Sequence, residues 1–148
     1  MSEYDEYERE CNSIREENKA LLDDFESWIL GNGLSKSTAK KHRENIDFYI
    51  NDFLLDEGPK HASDGVDEVG MFLGYWFVRK AMWANAASVK ANAASIKKFY
   101  DFLLERGEVD LEAVKGMKER IKEDLPDWVA TMERYDDPSI DTEDVWKW

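Results

Sequence analysis

Residues 84–104 read ANAASVKANAASIKKFYDFLL, a seven-residue phrase written twice with one Val-to-Ile exchange and followed by an aromatic run. With about 100° between successive residues of a helix, the apolar side chains fall on one side, which comprises Val89, Ala93, Ile96, Phe99, Tyr100, Leu103 and Leu104. The other side carries Ala87, Ala91 and Ala94 beside lysines. The stretch therefore predicts an amphipathic helix whose apolar side faces the core and whose outer side carries small side chains and lysines. Alanine is also simply a good surface helix former, which is the alternative explanation of the outer side.

The same apolar spacing extends outward from this stretch. It predicts further helices near 14–30, 37–55, 66–83 and 111–124, with a shorter one after Pro126. Strand signals are absent from the sequence. We therefore expect an all-α protein, a compact bundle of five to six helices, whose core is formed by Phe25, Trp28, Ile46, Tyr49, Phe53, Phe72, Trp76, Ile96, Tyr100 and Leu103.

The chain of 148 residues has the length of one domain. We divide it into an acidic amino-terminal segment (1–13), a helical domain (14–125), and a short helix with an acidic, tryptophan-containing tail (126–148). No apolar run approaches the roughly 18 to 20 residues of a membrane helix, and the amino terminus is acidic, unlike a signal peptide. We expect a cytoplasmic protein with no membrane partner.

The sequence contains few cysteine and histidine residues, the side chains that most often serve in catalysis and metal binding. Cys11 is the only cysteine, which excludes an internal disulfide. The two histidines, His42 and His61, have no neighbours in the sequence that complete a metal site or a catalytic triad, so both are interpreted as surface residues. We expect no enzyme activity, no catalytic residue, no metal and no cofactor.

Charge is distributed unevenly within the net −13. Residues 1–33 carry 3 basic and 10 acidic side chains, residues 34–122 carry 15 and 14, and residues 123–148 carry 2 and 9. Within the nearly neutral middle, 34–43 contains four cations and no acid, and no acid occurs between Glu68 and Asp101. Two basic segments thus lie between acidic ends.

The first basic segment, SKSTAKKHR at 35–43, begins the predicted helix 37–55 with cations, where the helix dipole is already positive. Free N–H groups, Ser and Thr hydroxyls and lysines at a helix start form an arrangement that binds anions such as phosphate. Nucleic acid is therefore the leading candidate partner.

Two longer stretches carry a family resemblance. LLDDFESWILGNGLSKSTAKKHRENIDFYINDFL at 21–54 has an apolar helix that ends before a GLS..T start, and SVKANAASIKKFYDFLLERGEV at 88–109 contains a later S.......I..FY.FL..RG helix. In this order they resemble the amino-terminal, SAM-like core-binding domain of tyrosine recombinases and phage integrases. The match covers roughly 21–109, with an extension to Pro126 left open.

The resemblance implies a helical clamp that holds double-stranded DNA during recombination and integration, with its second and fourth helices across the major groove. We therefore expect the two basic segments to share one face. By position, the implied DNA-binding residues are Lys36, Ser37, Thr38, Lys40, Lys41 and Arg43 in the first segment and Lys90, Asn92, Ser95, Lys97 and Lys98 in the second. Asn85 and Asn92 are candidates for reading adenine, with helix capping and core contact as their structural alternatives.

The catalytic arginines, lysine, histidines and tyrosine of the recombinases have no counterpart in this sequence, so we expect no strand exchange. Two functions stay open. One is a non-catalytic DNA-binding module, which could also contact a recombinase or another protein. The alternative is a helical protein–protein interaction or regulatory module that uses its acidic termini to bind a basic partner. The sequence determines neither the DNA site nor the oligomeric state.

Overall fold

A computed structural model describes residues 2–56, 58–80 and 84–136, and in these residues it contains five helices and no strand. Helix α1 is Glu3–Gly31, α2 is Lys36–Asp47 continued by a π-helix at Phe48–Phe53, α4 is Ala86–Glu105 and α5 is Leu111–Asp136. Helix α3, at 62–80, lies between α2 and α4. The expected all-α fold is confirmed for the described part of the chain.

Helix α3 changes its winding along its length. It begins as a 3-10 helix at Ala62–Glu68, passes through an α-helical turn at Val69–Met71 and a π-helix at Phe72–Trp76, and ends as an α-helix at Phe77–Lys80. The predicted helix near 66–83 therefore starts earlier, at Ala62. Its predicted end at 81–83 lies outside the described residues.

Buried aromatic and aliphatic side chains from all five helices form one core. Of the ten predicted core residues, seven are fully buried, namely Phe25, Ile46, Tyr49, Phe72, Ile96, Tyr100 and Leu103. The other three, Trp28, Phe53 and Trp76, are partly buried and packed against that core. The predicted core is confirmed, because the apolar stripes of α1, α2, α3 and α4 all face inward.

The predicted start of the first helix near residue 14 is wrong, since α1 begins at Glu3 and includes most of the acidic segment 1–13. A second apolar cluster of Cys11, Ile14 and Leu55 holds this part of α1 against the end of α2. Tyr7 packs on the cluster and donates its hydroxyl hydrogen to the carbonyl of Leu55. The acidic first turn also suits the positive end of the helix dipole.

The expectation of a separate short helix after Pro126 is also wrong, because α5 continues through Pro126 to Asp136. A proline inside a helix costs roughly 3 kcal/mol. Met132 beyond it is buried, and Trp128 and Val129 pack on the core, so the burial of these side chains outweighs that cost. The acidic tail from Asp137 onward, with Trp146 and Trp148, lies outside the described residues.

Candidate nucleic-acid interface

Helices α2 and α4 are joined along a polar seam centred on Ser95. This side chain is fully buried, and its hydroxyl oxygen lies 2.7 Å from Nδ1 of His42. The same oxygen accepts a hydrogen bond from the Nδ2 group of Asn45 at 2.9 Å and lies 3.1 Å from the carbonyl oxygen of Ala91. Ser95 has one hydroxyl proton. When Ser95 donates it to the carbonyl oxygen of Ala91, Nδ1 of His42 carries a proton and donates it to Ser95 Oγ. The seam fixes the first basic segment beside the second.

The seam also brings positive charge from both helices together. Burial, and then the nearby Lys98 ammonium, lower the pKa of His42 below its ordinary value. Lys98 of α4 thus lies close to α2, on whose surface Lys41 is exposed. Because the segment 86–100 of α4 contains no carboxylate, the charge that this part of α4 contributes beside the seam is positive.

The outer side of α4 carries small side chains and lysines, as the sequence predicts. The side chains of Ala87, Ala91 and Ala94 are exposed, as is Lys90, whereas Lys98 is half-buried. Lys97, also half-buried, completes the lysines of this helix. Small side chains allow another molecule to approach the helix backbone closely, with ammonium groups on either flank.

The hydroxyl groups at the start of α2 form hydrogen bonds with one another and with the helix backbone. Ser35 is the N-cap, and its Oγ accepts a hydrogen bond from the backbone N–H of Thr38 at 3.2 Å. The Ser35 hydroxyl also contacts Oγ1 of Thr38 at 2.9 Å and Oγ of Ser37 at 3.2 Å. The side chains of Lys36, Ser37 and Lys40 remain exposed, and Thr38 is half-buried. Lys40 is 4.0 Å from Glu44, a weak surface pair.

Some of the residues implied by the resemblance lie away from the shared surface. Arg43 faces α1, where its Nη1 bonds Asp23 Oδ1 at 2.7 Å and lies 3.6 Å from Glu26 Oε2. Asn92 is buried and donates a hydrogen bond to the carbonyl of Ser88. With Ser95 buried in the seam, the described contacts give these three residues structural roles.

Asn85 is the N-cap of α4. Its side chain accepts a hydrogen bond from the backbone N–H of Ser88 at 2.8 Å, and the Ser88 hydroxyl accepts one from the Asn85 N–H at 2.8 Å. This reciprocal capping box uses the amide oxygen that adenine recognition would need. The capping alternative therefore accounts for Asn85.

His42 and Asn45 are the residues of this region that the sequence interpretation missed. His42, expected on the surface, is half-buried and bonded to Ser95. A sequence signal does exist, since Thr38, His42 and Asn45 follow one another at spacings of four and three residues. That spacing places a polar flank beside the apolar stripe of α2.

The remaining described residues give no sign of metal or membrane chemistry. His61 Nδ1 lies 2.9 Å from a carboxylate oxygen of Glu17, a surface contact. No group of three or more His, Cys, Asp and Glu side chains within the described ranges could hold a metal ion. None of the helices described is both long and apolar enough to cross a membrane. In comparisons with known proteins, no family model, curated protein or solved structure matches the chain.

Replacing Ser95 with alanine is expected to destabilise the protein by about 1–3 kcal/mol, because the His42 and Asn45 donors at the seam lose their buried acceptor. Urea denaturation followed by circular dichroism measures the change. Ala94→Ser, one residue away on the exposed side, is the control and should change stability by less than about 0.5 kcal/mol. Equal stability of the two variants would contradict the role given to the seam.

Proposed function

We propose that this chain is a non-catalytic, cytoplasmic module that binds double-stranded DNA through the outer surface of α2 and α4. In this proposal the helices adopt the SAM-like arrangement of recombinase core-binding domains. The contacting side chains are Lys36, Ser37, Thr38, Lys40, Lys41, Lys90, Lys97 and Lys98. Arg43, Asn92 and Ser95 support this surface from within.

The observation that carries the proposal is the Ser95 seam. His42 and Ser95 are 53 positions apart in the chain, and their 2.7 Å contact places two acid-free basic segments on adjoining helices. A polyanion is the partner that ammonium groups on two adjoining helices recognise, because neutralising phosphates releases bound counterions. No base-reading side chain is assigned, so the proposal concerns contacts to the DNA backbone.

The acidic groups near the two helices lie off the Ser95 seam, but Glu44 of α2 pairs weakly with Lys40 and, with Glu26, lines a groove beside Lys36 and Lys40. Asp23 and Glu26 reach α2 on the flank of Arg43, which is turned about 100° from the His42 flank. On α4, Asp101 bonds Lys118 of α5 at 2.6 Å. The net charge of −13 still lowers the attraction to DNA at long range, so we expect modest affinity.

The proposal predicts salt-sensitive binding of the intact chain to a fluorescein-labelled 20-base-pair duplex, measured by fluorescence anisotropy. If the surface neutralises about four to six phosphates, the slope of log affinity against log salt is roughly −4 to −5, at about 0.9 per contact. The control is a duplex of scrambled sequence, which should bind equally well because the contacts are to phosphates. Absence of binding even at low salt would favour the alternative, an interaction module for a basic protein.

A further inference from the structure

A second surface lies at the opposite end of α2. An open cleft of about 630 Å³ is lined by Phe53, Leu54, Asp56, Gly58, Lys60, Glu68, Met71, Tyr75 and Trp76. The helix running from Lys36 to Phe53 separates it from the basic end of α2 by about 25 Å, at about 1.5 Å per residue. Met71 and Tyr75 are 53% and 45% exposed, which is unusual for such large side chains. The cleft is therefore apolar and accessible.

Two π-helices meet at this cleft. One, Phe48–Phe53, supplies Phe53, and the other, Phe72–Trp76, supplies Tyr75 and Trp76. Segments of π-helix are rare and occur frequently at functional sites. The rings of Phe53 and Trp76 are 5.3 Å apart and both pack on Phe72, so one wall of the cleft is a fixed aromatic surface. The cleft is thus preformed, as binding sites generally are.

Carboxylates dominate the charge around the cleft. Asp56 Oδ2 accepts a hydrogen bond from the Trp76 indole at 3.1 Å, and Glu68 Oε1 lies 2.8 Å from the Lys60 ammonium. Glu68, with Asp64 and Asp67 nearby, raises the pKa of Lys60. Among the described residues, the nearby cations are Lys60, Arg79, whose guanidinium lies over the Tyr75 ring at 5.1 Å, and Arg120, which lines an adjoining groove with Glu68, Met71 and Tyr75. Among the described residues that line the cleft itself, two carboxylates, Asp56 and Glu68, face one cation, Lys60, and this excess of negative charge favours a positively charged occupant.

We propose that this cleft binds a basic segment of a partner protein, with one large apolar side chain of that segment seated between Met71, Tyr75 and Trp76. The aromatic wall accepts the apolar anchor, and the carboxylates of Asp56 and Glu68 pair with flanking arginines or lysines. A nucleic acid is repelled by the same carboxylates. The site is independent of the DNA-binding surface, since none of the lysines assigned to DNA lines it.

The test is an NMR titration of the full-length ¹⁵N-labelled protein with the acetylated, amidated tetrapeptide Arg-Phe-Arg-Leu. The readout is the indole N–H resonance of Trp76, assigned with a Trp76→Phe variant, because an arginine that pairs with Asp56 perturbs the acceptor of this N–H. We expect a saturable shift of this resonance. Met71→Lys should weaken binding at least tenfold by placing a bulky cation at the cleft.

Leu111→Lys is the matched control, since Leu111 is 49% exposed at the start of α5 and does not line the cleft. It should leave the affinity unchanged. The charge-reversed peptide Glu-Phe-Glu-Leu should bind at least tenfold more weakly. The proposal is overturned by equal binding of both peptides, by equal effects of the two lysine variants, or by no indole shift at 5 mM peptide. A dimer in sedimentation that Met71→Lys abolishes would assign the cleft to a second copy and also overturn it.

Discussion

Replacing Gly65 with alanine is expected to destabilise the protein by roughly 2–4 kcal/mol, through overpacking and lost hydrogen bonds. A Cβ atom at this position would lie 2.7 Å from Oη of Tyr49, 2.8 Å from Cδ1 of Leu54 and 2.9 Å from Oη of Tyr100. Both tyrosines are fully buried, so neither ring can move aside without opening the core.

The clash would also disrupt the polar centre of that core. The hydroxyl oxygens of Tyr49 and Tyr100 are 2.7 Å apart, and they lie 2.7 and 2.9 Å from the carbonyl oxygens of Gly65 and Ala62, respectively. Burial raises the pKa of both hydroxyls, which therefore remain protonated. Any shift of α3 away from the rings leaves these buried groups with fewer partners.

Gly70→Ala is the matched control for Gly65→Ala. Its Cβ would meet the Arg120 guanidinium at 2.3 Å, but that group is the far end of a flexible, half-exposed side chain. Movement of Arg120 relieves the clash, and alanine favours the helix by up to about 1 kcal/mol. Urea denaturation of the two variants should therefore separate them clearly. A Gly65→Ala variant as stable as Gly70→Ala would show that the tyrosine pair is packed less tightly than described.

The triple substitution of Lys41, Lys90 and Lys98 by alanine is expected to weaken DNA binding about 100-fold or more at 0.1 M salt. Each phosphate contact contributes a slope of about 0.9, equivalent to nearly tenfold in affinity at that salt concentration. All three side chains lie on the α2 and α4 surface, and none is required by the core. The fold should therefore persist, as circular dichroism and urea denaturation can verify.

The matched control is the triple substitution of Arg9, Arg15 and Lys19 by alanine. These three exposed cations lie on α1, and their removal changes the net charge by the same amount. Their loss should weaken DNA binding only a few-fold, through the long-range field. A comparable loss in both variants would mean that net charge, and not the α2 and α4 surface, determines DNA affinity.

The apolar pattern predicts much of this fold because it records which face of each helix is buried. The repeated seven-residue sequence at 84–97 and the aromatic residues that follow it predict that Ile96, Tyr100 and Leu103 belong to the core, and all three side chains are fully buried there. Helix ends are harder to predict, since distant contacts determine them. The start of α1 depends on the packing of Cys11 and Ile14 against Leu55, and the end of α5 depends on the burial of Met132 beyond Pro126.

The candidate surface can be predicted only in part. The lysines are visible as two acid-free segments, whereas the pairing of Arg43 with Asp23 depends on how α1 lies against α2. The Ser95 seam is likewise a contact between distant segments. The cleft beside Trp76 escapes prediction altogether, because the π-helical winding of α3 departs from the 3.6-residue period on which the apolar pattern is interpreted.

The salt dependence of duplex binding, measured side by side for the two triple variants, tests the proposed DNA-binding surface most directly. Removing three phosphate contacts should reduce the slope of log affinity against log salt from roughly −4 or −5 to about −2 in the Lys41, Lys90 and Lys98 variant. The Arg9, Arg15 and Lys19 variant should keep the slope of the unmodified protein. Equal slopes for the two variants would contradict the assignment of DNA binding to α2 and α4.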